Sequence, residues 1–362
     1  MYSTLNAIGR KFGLCGELYS YETITIGNIN TTYKVTYTDK EMNLTSYLFQ
    51  RVNTNVFKDP VRIMKNIESV TTFISEKYPD QVTLHYYHTD EGVNYYVCDD
   101  NAFWRVVNYI DSVTYDATDD LDIIEAAGRA FGEFQTRLSD FDGSVLYETI
   151  PDFHNTEKRL ANMFEHVAED PHGRVKDVAP EIEYIASVRG LAAELSVRFA
   201  NGEIPKRVTH NDTKCNNVLF DKVTREPIAV IDLDTIMPGM SMYDFGDAVK
   251  FISNTAVEDE PDISKVSFDT AKFRAFSVGF IGATKSALLP VELDNLVKAT
   301  FSITVELAAR FLDDYIMGDK YFRCAYPKHN LVRTRCLTQL ARDIERKWDE
   351  LTEIINDVMS NA

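Results

Sequence analysis

Two chemistries are excluded first by what this sequence lacks. Its five cysteines, Cys15, Cys98, Cys215, Cys324 and Cys336, are odd in number and no two stand in a CxxC spacing. Neither a disulfide framework nor a zinc site is indicated. Cations are scarce too: 38 Lys and Arg stand against 56 Asp and Glu, a net charge of -18 at pH 7. Such a surface repels a phosphate backbone, so nucleic acid is not an expected partner, and an anionic ligand must be met by local cations or a metal. No apolar run approaches the ~18 residues of a membrane span, and the amino terminus lacks the sections of a secretory leader. A cytoplasmic protein with no membrane partner is the expectation. Gly/Ser linkers, low-complexity tracts and internal repeats are missing as well. Two lobes packed together suit a chain of this length.

What is present changes character near Ile110. Before it, "LYSYETITIG", "TTYKVTYT" and "TSYLFQRVN" alternate at period two and predict an antiparallel sheet. "FKDPVRIMKNIESVTTFISEKY" then turns helical, with Asp59 as N-cap, Pro60 at the first helical position and Ile63, Ile67, Val70 and Ile74 on one stripe. Strand patterns return in "QVTLHYYHT", "VNYYVCD" and "FWRVVNYI". Residues 1–110 therefore read as an α+β lobe and 111–362 as a mainly helical one, with a hinge over Asn108 to Asp111. The strand-like interruption in the second lobe, "NVLF" and "IAVIDL" around "DKVTREP", predicts a small hairpin.

The chemistry is concentrated beside that hairpin. In "VTHNDTKCNNVLFD", His210, Asp212, Lys214 and Asn217 form H-x-D-x-K-x-x-N, and "IDLD" follows with Asp232 and Asp234. His, Asp and Asn at these spacings arise by chance in about two chains per hundred of this length. Turn residues capping their own backbone use the same types, but the strand ending in Asp downstream favours a site. Phosphoryl transfer needs these parts, because its transition state spreads charge over oxygens that must be held in line with the nucleophile. Asp212 can orient an acceptor hydroxyl and take its proton. Asn217 and Asp232 are hard oxygen ligands suited to Mg²⁺. Lys214 can neutralise the transferring phosphate, and His210 braces the loop. Asp234 is either a second metal ligand or a loop anchor. "YDFGDAVKFI" places Asp244 and Asp247 at a helix start, where capping is the expected role. In the first lobe Gly27 sits in a hairpin loop able to cover phosphates, and Arg51, rather than its neighbour Gln50, is assigned as the cation facing them. Glu68 can pair with Arg51 or lie on a solvated helix face.

Together "GNINTTY", "FQRVNTNVFKDPVRIMKNI", "IPDFHNTEKRL", "THNDTKCNNVLF", "VIDLDTIMPG", "YDFGDAVKF" and "ELAARFLDDYIMGDKYF" resemble, in order, the aminoglycoside-phosphotransferase-like small-molecule kinases. Within that family they look like the subgroup acting on N-acetylhexosamines. The resemblance implies a two-lobed protein-kinase-like fold and an ATP- and Mg²⁺-dependent transfer to the anomeric hydroxyl of N-acetylglucosamine or N-acetylgalactosamine, by a monomer or homodimer. By the same resemblance Asp212 is similar to the catalytic base and Asn217 and Asp232 to the metal ligands. Asn30, Arg310, Tyr321 and Trp348 fall with Asp212 where relatives contact the sugar, and the backbone of Val107, Asn108 and Tyr109 where they hold adenine. Two departures stand out: the usual kinase lysine is missing from "YLFQRVN", and Asn211 stands where many relatives have Gly. Another hydroxylated acceptor (a hexose, an amino alcohol, an aminoglycoside) and a silent nucleotide-binding regulator are the competing readings.

Overall fold

The computed structural model describes residues 1–25 and 29–362. Gly27, the expected phosphate-loop glycine, lies outside the described residues.

The amino-terminal part opens with a helix that the sequence reading did not include, α1 (Tyr2–Lys11), whose Leu5 and Ile8 are buried. Three antiparallel strands follow: β1 (Glu17–Ile24), β2 (Thr31–Thr38) and β3 (Leu44–Val52). Next comes α2 (Pro60–Lys77), started as its sequence predicts: the Asp59 carboxylate accepts the Arg62 N–H and Pro60 stands in the first turn. Its Ile63, Ile67, Val70 and Ile74 are buried. The sheet closes with β4 (Tyr96–Val97) and β5 (Phe103–Asn108), in the order β1-β2-β3-β5-β4. "QVTLHYYHT" is not a strand. It touches β5 through a single Tyr86–Val107 bridge, because Asn108 turns its side chain back onto the segment and accepts the His85 N–H at 2.7 Å.

The rest is mainly helical. In order come α3 (Leu121–Arg137), α4 (Thr156–Glu169), α5 (Ala179–Ala200), β6 (Arg207–Thr209), β7 (Val218–Phe220), β8 (Pro227–Val230), β9 (Met237–Gly239), α6 (Ser241–Ile252), α7 (Thr270–Thr284), α8 (Pro290–Leu293), α9 (Leu296–Ile316), α10 (His329–Arg346) and α11 (Trp348–Asn361). The expected hairpin is β7 with β8, while β6 pairs with β9. Helices α3 and α7 touch backbone to backbone: a Cβ on Gly279 would lie 1.9 Å from the Glu125 carbonyl oxygen, and one on Gly128 2.3 Å from that of Phe276. Only glycine permits that approach. α9 runs buried through the helical core, with α4, α5, α6 and α10 around it. The architecture is thus α+β, an antiparallel sheet followed by a larger helical part.

A second core lies between the parts, formed by α2, Phe103 and Val107 of β5, and Leu233 and Ile236 just after β8. It fixes the sheet's inner face against the β7–β9 region, where the candidate site lies.

Candidate active site

The loop from β6 to β7 is held from beneath by α6. Asp244 is not an N-cap; the cap of α6 is Met240. Its carboxylate, 2% exposed, instead accepts the backbone N–H of His210 and of Asn211, each at 2.8 Å, and the Gln135 amide at 2.8 Å. Burial raises its pKa, opposed by His210 and those donors. Asp247 likewise is a loop anchor: it accepts the Thr213 N–H at 3.0 Å, while Lys250 donates to its other oxygen at 2.7 Å. The Thr213 hydroxyl donates to the Asp244 carbonyl at 2.6 Å. The N–H groups of His210, Asn211 and Thr213, on either side of Asp212, are therefore taken by buried carboxylates, which holds the loop in place without using the Asp212 side chain.

His210 braces the loop, as expected, but through the backbone. Its Nε2–H donates to the Ile231 carbonyl at 2.8 Å, so Nδ1 is the acceptor and takes the Asp212 N–H at 3.3 Å. This links the Asp212 loop directly to the residue before Asp232. Asn211 is left-handed, with φ 64°, and its amide bonds the Thr235 carbonyl at 2.9 Å. Its side chain faces away from Asp212, which is how asparagine serves where relatives have glycine.

Asp212 is half-buried. Lys214 Nζ lies 3.0 Å from its Oδ1. Burial opposes the charge on Lys214, but Asp212 above all, with Asp247 and Asp232, holds its pKa above the usual value. Asn217 donates its amide to the Asp212 carbonyl at 2.8 Å. With the nitrogen so tied, the amide oxygen accepts no hydrogen bond from the described residues. Asp232 completes the group: left-handed at φ 61°, exposed to solvent, and without a protein donor among the described residues. The protein around it desolvates it, and Asp234 and Asp212 lie near; its pKa is pushed up to about 6. Such a carboxylate, with no ion pair among the described residues, is not fully compensated by the protein around it. The described residues contain no cluster of three or more His, Cys, Asp or Glu for a metal. The donor set on offer is one carboxylate and one amide oxygen, open to oxygens from a ligand.

Asp234 is a loop anchor, buried and paired with Arg105. Asn30, expected near the acceptor, donates to Asp234 at 2.7 Å and accepts the Asn53 N–H at 3.0 Å. Arg51 does not face the cleft. On β3 it shares a face with Phe49, which packs in the core on the α1 side, and its nearest acid is Asp100 at 4.0 Å. Strand alternation puts Gln50, not Arg51, inward. Glu68 engages His88 at 2.5 Å rather than Arg51. Val107 is buried and Asn108 is spent on residues 83–85; Tyr109 receives the Lys34 ammonium on its ring, 4.4 Å from the centroid.

A second cluster adjoins the loop across α6. Tyr243 bonds Thr156 at 3.0 Å, Thr156 donates to Glu306 at 2.7 Å, and His154 Nδ1 lies 2.9 Å from the other Glu306 oxygen. Burial works against the charge on Glu306, but His154, Arg310 and Thr156 keep its pKa below the usual value. One turn along α9, Arg310 faces the rings of Phe153, Phe322 and Tyr321 at 5.3, 5.6 and 6.0 Å. Arg159 is close enough for its pKa to be lowered, first by burial and then by Arg310. Trp348 does not belong here. It packs against Phe301 at the other end of α9, about 13 Å along the helix from Arg310.

The sequence reading missed Arg105, Arg159, His154 and the anchoring role of Asp244 and Asp247. For Arg105 a signal existed: it stands between Phe103 and Val107 at period two, a charge on an apolar strand face that demands a partner.

The sequence pattern of the phosphotransferase enzyme family matches residues 20–276. The chain belongs to that family. Among solved structures, a microcompartment-associated aminopropanol kinase is similar at 14% identity and TM-score 0.63, over 97% of this chain and 99% of that one. A choline kinase from Cryptosporidium parvum Iowa II is similar at 13% identity and TM-score 0.59, over 99% of each chain. An amicoumacin kinase in complex with AMP-PNP and Ca²⁺ is similar at 13% identity and TM-score 0.54, over 96% of each chain. At such identities these likenesses establish the shared fold.

Proposed function

We propose that the protein is an ATP-dependent kinase that phosphorylates an N-acetylhexosamine on its anomeric hydroxyl, an N-acetylhexosamine 1-kinase. One observation carries the acceptor class: in the cluster beside Asp212 each acid is already held by a partner, while Arg159 and Arg310 are held by a carbonyl and by aromatic rings rather than by a carboxylate. Glu306 is taken by His154 and Thr156, Asp152 by Lys158 and Asn155, Asp313 by His166, and Asp314 by backbone N–H groups. Arg159 and Arg310 have no ion pair among the described residues. A site built for an amine would present free carboxylates. Aminopropanol and choline, the acceptors in the names of the similar structures, are cationic and would meet two guanidiniums. A neutral sugar with an acyl carbonyl and hydroxyl groups suits arginine and aromatic faces.

In this reading residues 1–110 serve the nucleotide and 111–362 the acceptor. Partly buried Leu48, Ile110, Val230 and Ile231 offer an apolar slot for adenine next to the Val107–Tyr109 backbone. Asp212 orients the acceptor hydroxyl and takes its proton as the oxygen attacks the terminal phosphorus, the bond to the departing nucleotide breaking on the opposite side. Lys214, held against Asp212, faces the transferring group and offsets its charge. Asn217 and Asp232 have the hard oxygens that Mg²⁺ takes, free of donors among the described residues, and the AMP-PNP and Ca²⁺ of the amicoumacin kinase support a divalent cation with nucleotide. Such an ion, when bound, neutralises phosphate oxygens. The rigid loop and the tied Asn217 amide hold those oxygens in place beforehand.

The deciding experiment follows ADP release with Mg-ATP across N-acetylglucosamine, N-acetylgalactosamine, plain hexoses, choline and aminoglycosides. The expected result is turnover on N-acetylhexosamines, with the reducing end lost to the 1-phosphate. Turnover confined to amines overturns the acceptor assignment.

A further inference from the structure

On β3 the inward position is a glutamine, and the cation on this face of the sheet is found elsewhere. It stands one strand over. Arg105 of β5 is in register with Gln50 and is 1% exposed. Its Nε donates to Gln50 Oε1 at 2.9 Å and its Nη1 pairs with Asp234, in the turn after β8. The second Asp234 oxygen takes the Asn30 amide at 2.7 Å, and Asn30 Oδ1 accepts the Asn53 N–H at 3.0 Å. The loop before β2, the end of β3, the middle of β5 and the segment carrying Asp232 therefore meet at one carboxylate. Asp232 is two residues from that junction and is left-handed, a conformation that a non-glycine residue keeps only where its surroundings impose it.

Stability alone is a weak reason for this arrangement. A buried ion pair often does no better for stability than apolar residues of the same shape, whereas its geometry is specific. α2 and the second core already hold the sheet against residues 233–236 by apolar contact. What the pair adds is a fixed position for the turn relative to the sheet.

We propose that Arg105 is a positioning residue for phosphoryl transfer: a strut, propped by Gln50, that fixes the Asp232–Asp234 turn against the nucleotide-facing side of the sheet and so replaces a cation on β3. The proposal rests on the kinase reading above. In-line transfer tolerates little misplacement, and a 1 Å error can cost about 10²-fold in rate.

Arg105→Met removes the charge, and the double variant Q50K/R105M returns a cation from the adjacent position. Hydrogen exchange is measured on the nucleotide-free protein, with Mg·ADP affinity and steady-state kinetics alongside. In Arg105→Met, amides of 232–236 and Asn53 should exchange at least about tenfold faster while α9 is unchanged. Mg·ADP should bind about tenfold more weakly and kcat should fall about 10²-fold, with the acceptor KM within about twofold of the parent. The double variant should recover most of each loss. Wild-type exchange and Mg·ADP affinity in Arg105→Met overturn the strut, as does a folded double variant that recovers nothing. If Arg105→Met does not fold, Asn30→Ala removes one arm: faster exchange at 234 and weaker Mg·ADP binding support the strut, and no change in either sinks it. Absence of phosphotransfer by the parent on every acceptor would refute the kinase reading instead, and exchange with Mg·ADP binding would still judge Arg105.

Discussion

The two faces of the amino-terminal sheet are made by the same strands and have opposite chemistry. Toward α1 the strands present Tyr33, Val35, Tyr37, Phe49, Trp104 and Val106, all buried with Leu5, Ile8 and Phe12. Toward the cleft the alternate positions are Thr32, Lys34, Leu48, Gln50 and Arg105, of which Thr32, Gln50 and Arg105 are linked by hydrogen bonds to one another and, through Arg105, to Asp234 of the helical part. Period-two alternation alone would not say which face is core and which is site. The polar residues do: on an inward-facing row, each polar side chain marks a place where packing has been given up for a partner or a ligand.

On that division, damage on the cleft side falls mainly on rate, and damage on the α1 side mainly on stability. Asp212→Asn should be the most severe test on the cleft side. Its loop is anchored through Asp244 and Asp247, not through Asp212, so melting and nucleotide affinity should stay at the parent's values while kcat falls about 10²–10⁴-fold. Single-turnover kinetics beside a nucleotide titration would read this. Retained turnover removes Asp212 from the base role.

Trp104→Ala is the matching test on the other face. Trp104 is 3% exposed and stacks near Tyr33 with ring centroids 6.1 Å apart. Its truncation should cost about 3–5 kcal/mol of unfolding free energy. KM for ATP, measured well below the melting transition, should be unchanged. A large rise in that KM would mean that the α1 face communicates with the nucleotide.

The same comparison explains how far the sequence could be read. Composition and alternation are local properties, so the strand-helix-strand order, the Asp59–Pro60 start of α2 and the β7–β8 hairpin were legible. So was the grouping of Asp212, Lys214, Asn217 and Asp232, because two short segments carry all four. Segments far apart in the chain were harder. Arg51 looked like the phosphate cation because register decides facing, and register with β5 is not written in β3. Arg105 gains its meaning from Asp234, 129 residues away. Asp244 and Asp247 looked like caps because their partners are backbone N–H groups of another loop, which carry no sequence signature. α1 was missed where a short helix precedes strands rich in the same apolar residues.

A gentler probe of the cleft side uses pH. Asp232 is pushed from 3.8 up to about 6 by burial, then by Asp234 and Asp212, with Arg105 and His210 pulling the other way. The folded state therefore binds this proton more tightly than the unfolded chain. Stability from this group is present below the unfolded value and is lost as pH rises through about 6. Asp232→Asn removes the strained charge, so in the absence of nucleotide and metal it should melt about 1–3 °C higher than the parent at pH 7.5. The gap should narrow toward pH 5, and the variant should lose phosphotransfer. Equal melting at pH 7.5 would mean that the carboxylate is not destabilised in the cleft.

Arg51→Ala should do least, and for that reason it tests the assignment of faces most directly. Arg51 and Gln50 are neighbours in sequence, and a one-residue shift in β3 would exchange their positions. With the observed register, Thr31 and Trp104 flank Arg51, its side chain is about half exposed, and among the described residues its one acid partner is Asp100, 4.0 Å away. Removing such a contact should change stability by no more than about 0.5 kcal/mol. KM for ATP should move by less than about twofold, since Arg51 stands on the α1 face of the sheet, away from Gln50 and Arg105. A tenfold rise in KM would instead place Arg51 at the phosphates, and the polar row of Thr32, Gln50 and Arg105 would then need another explanation.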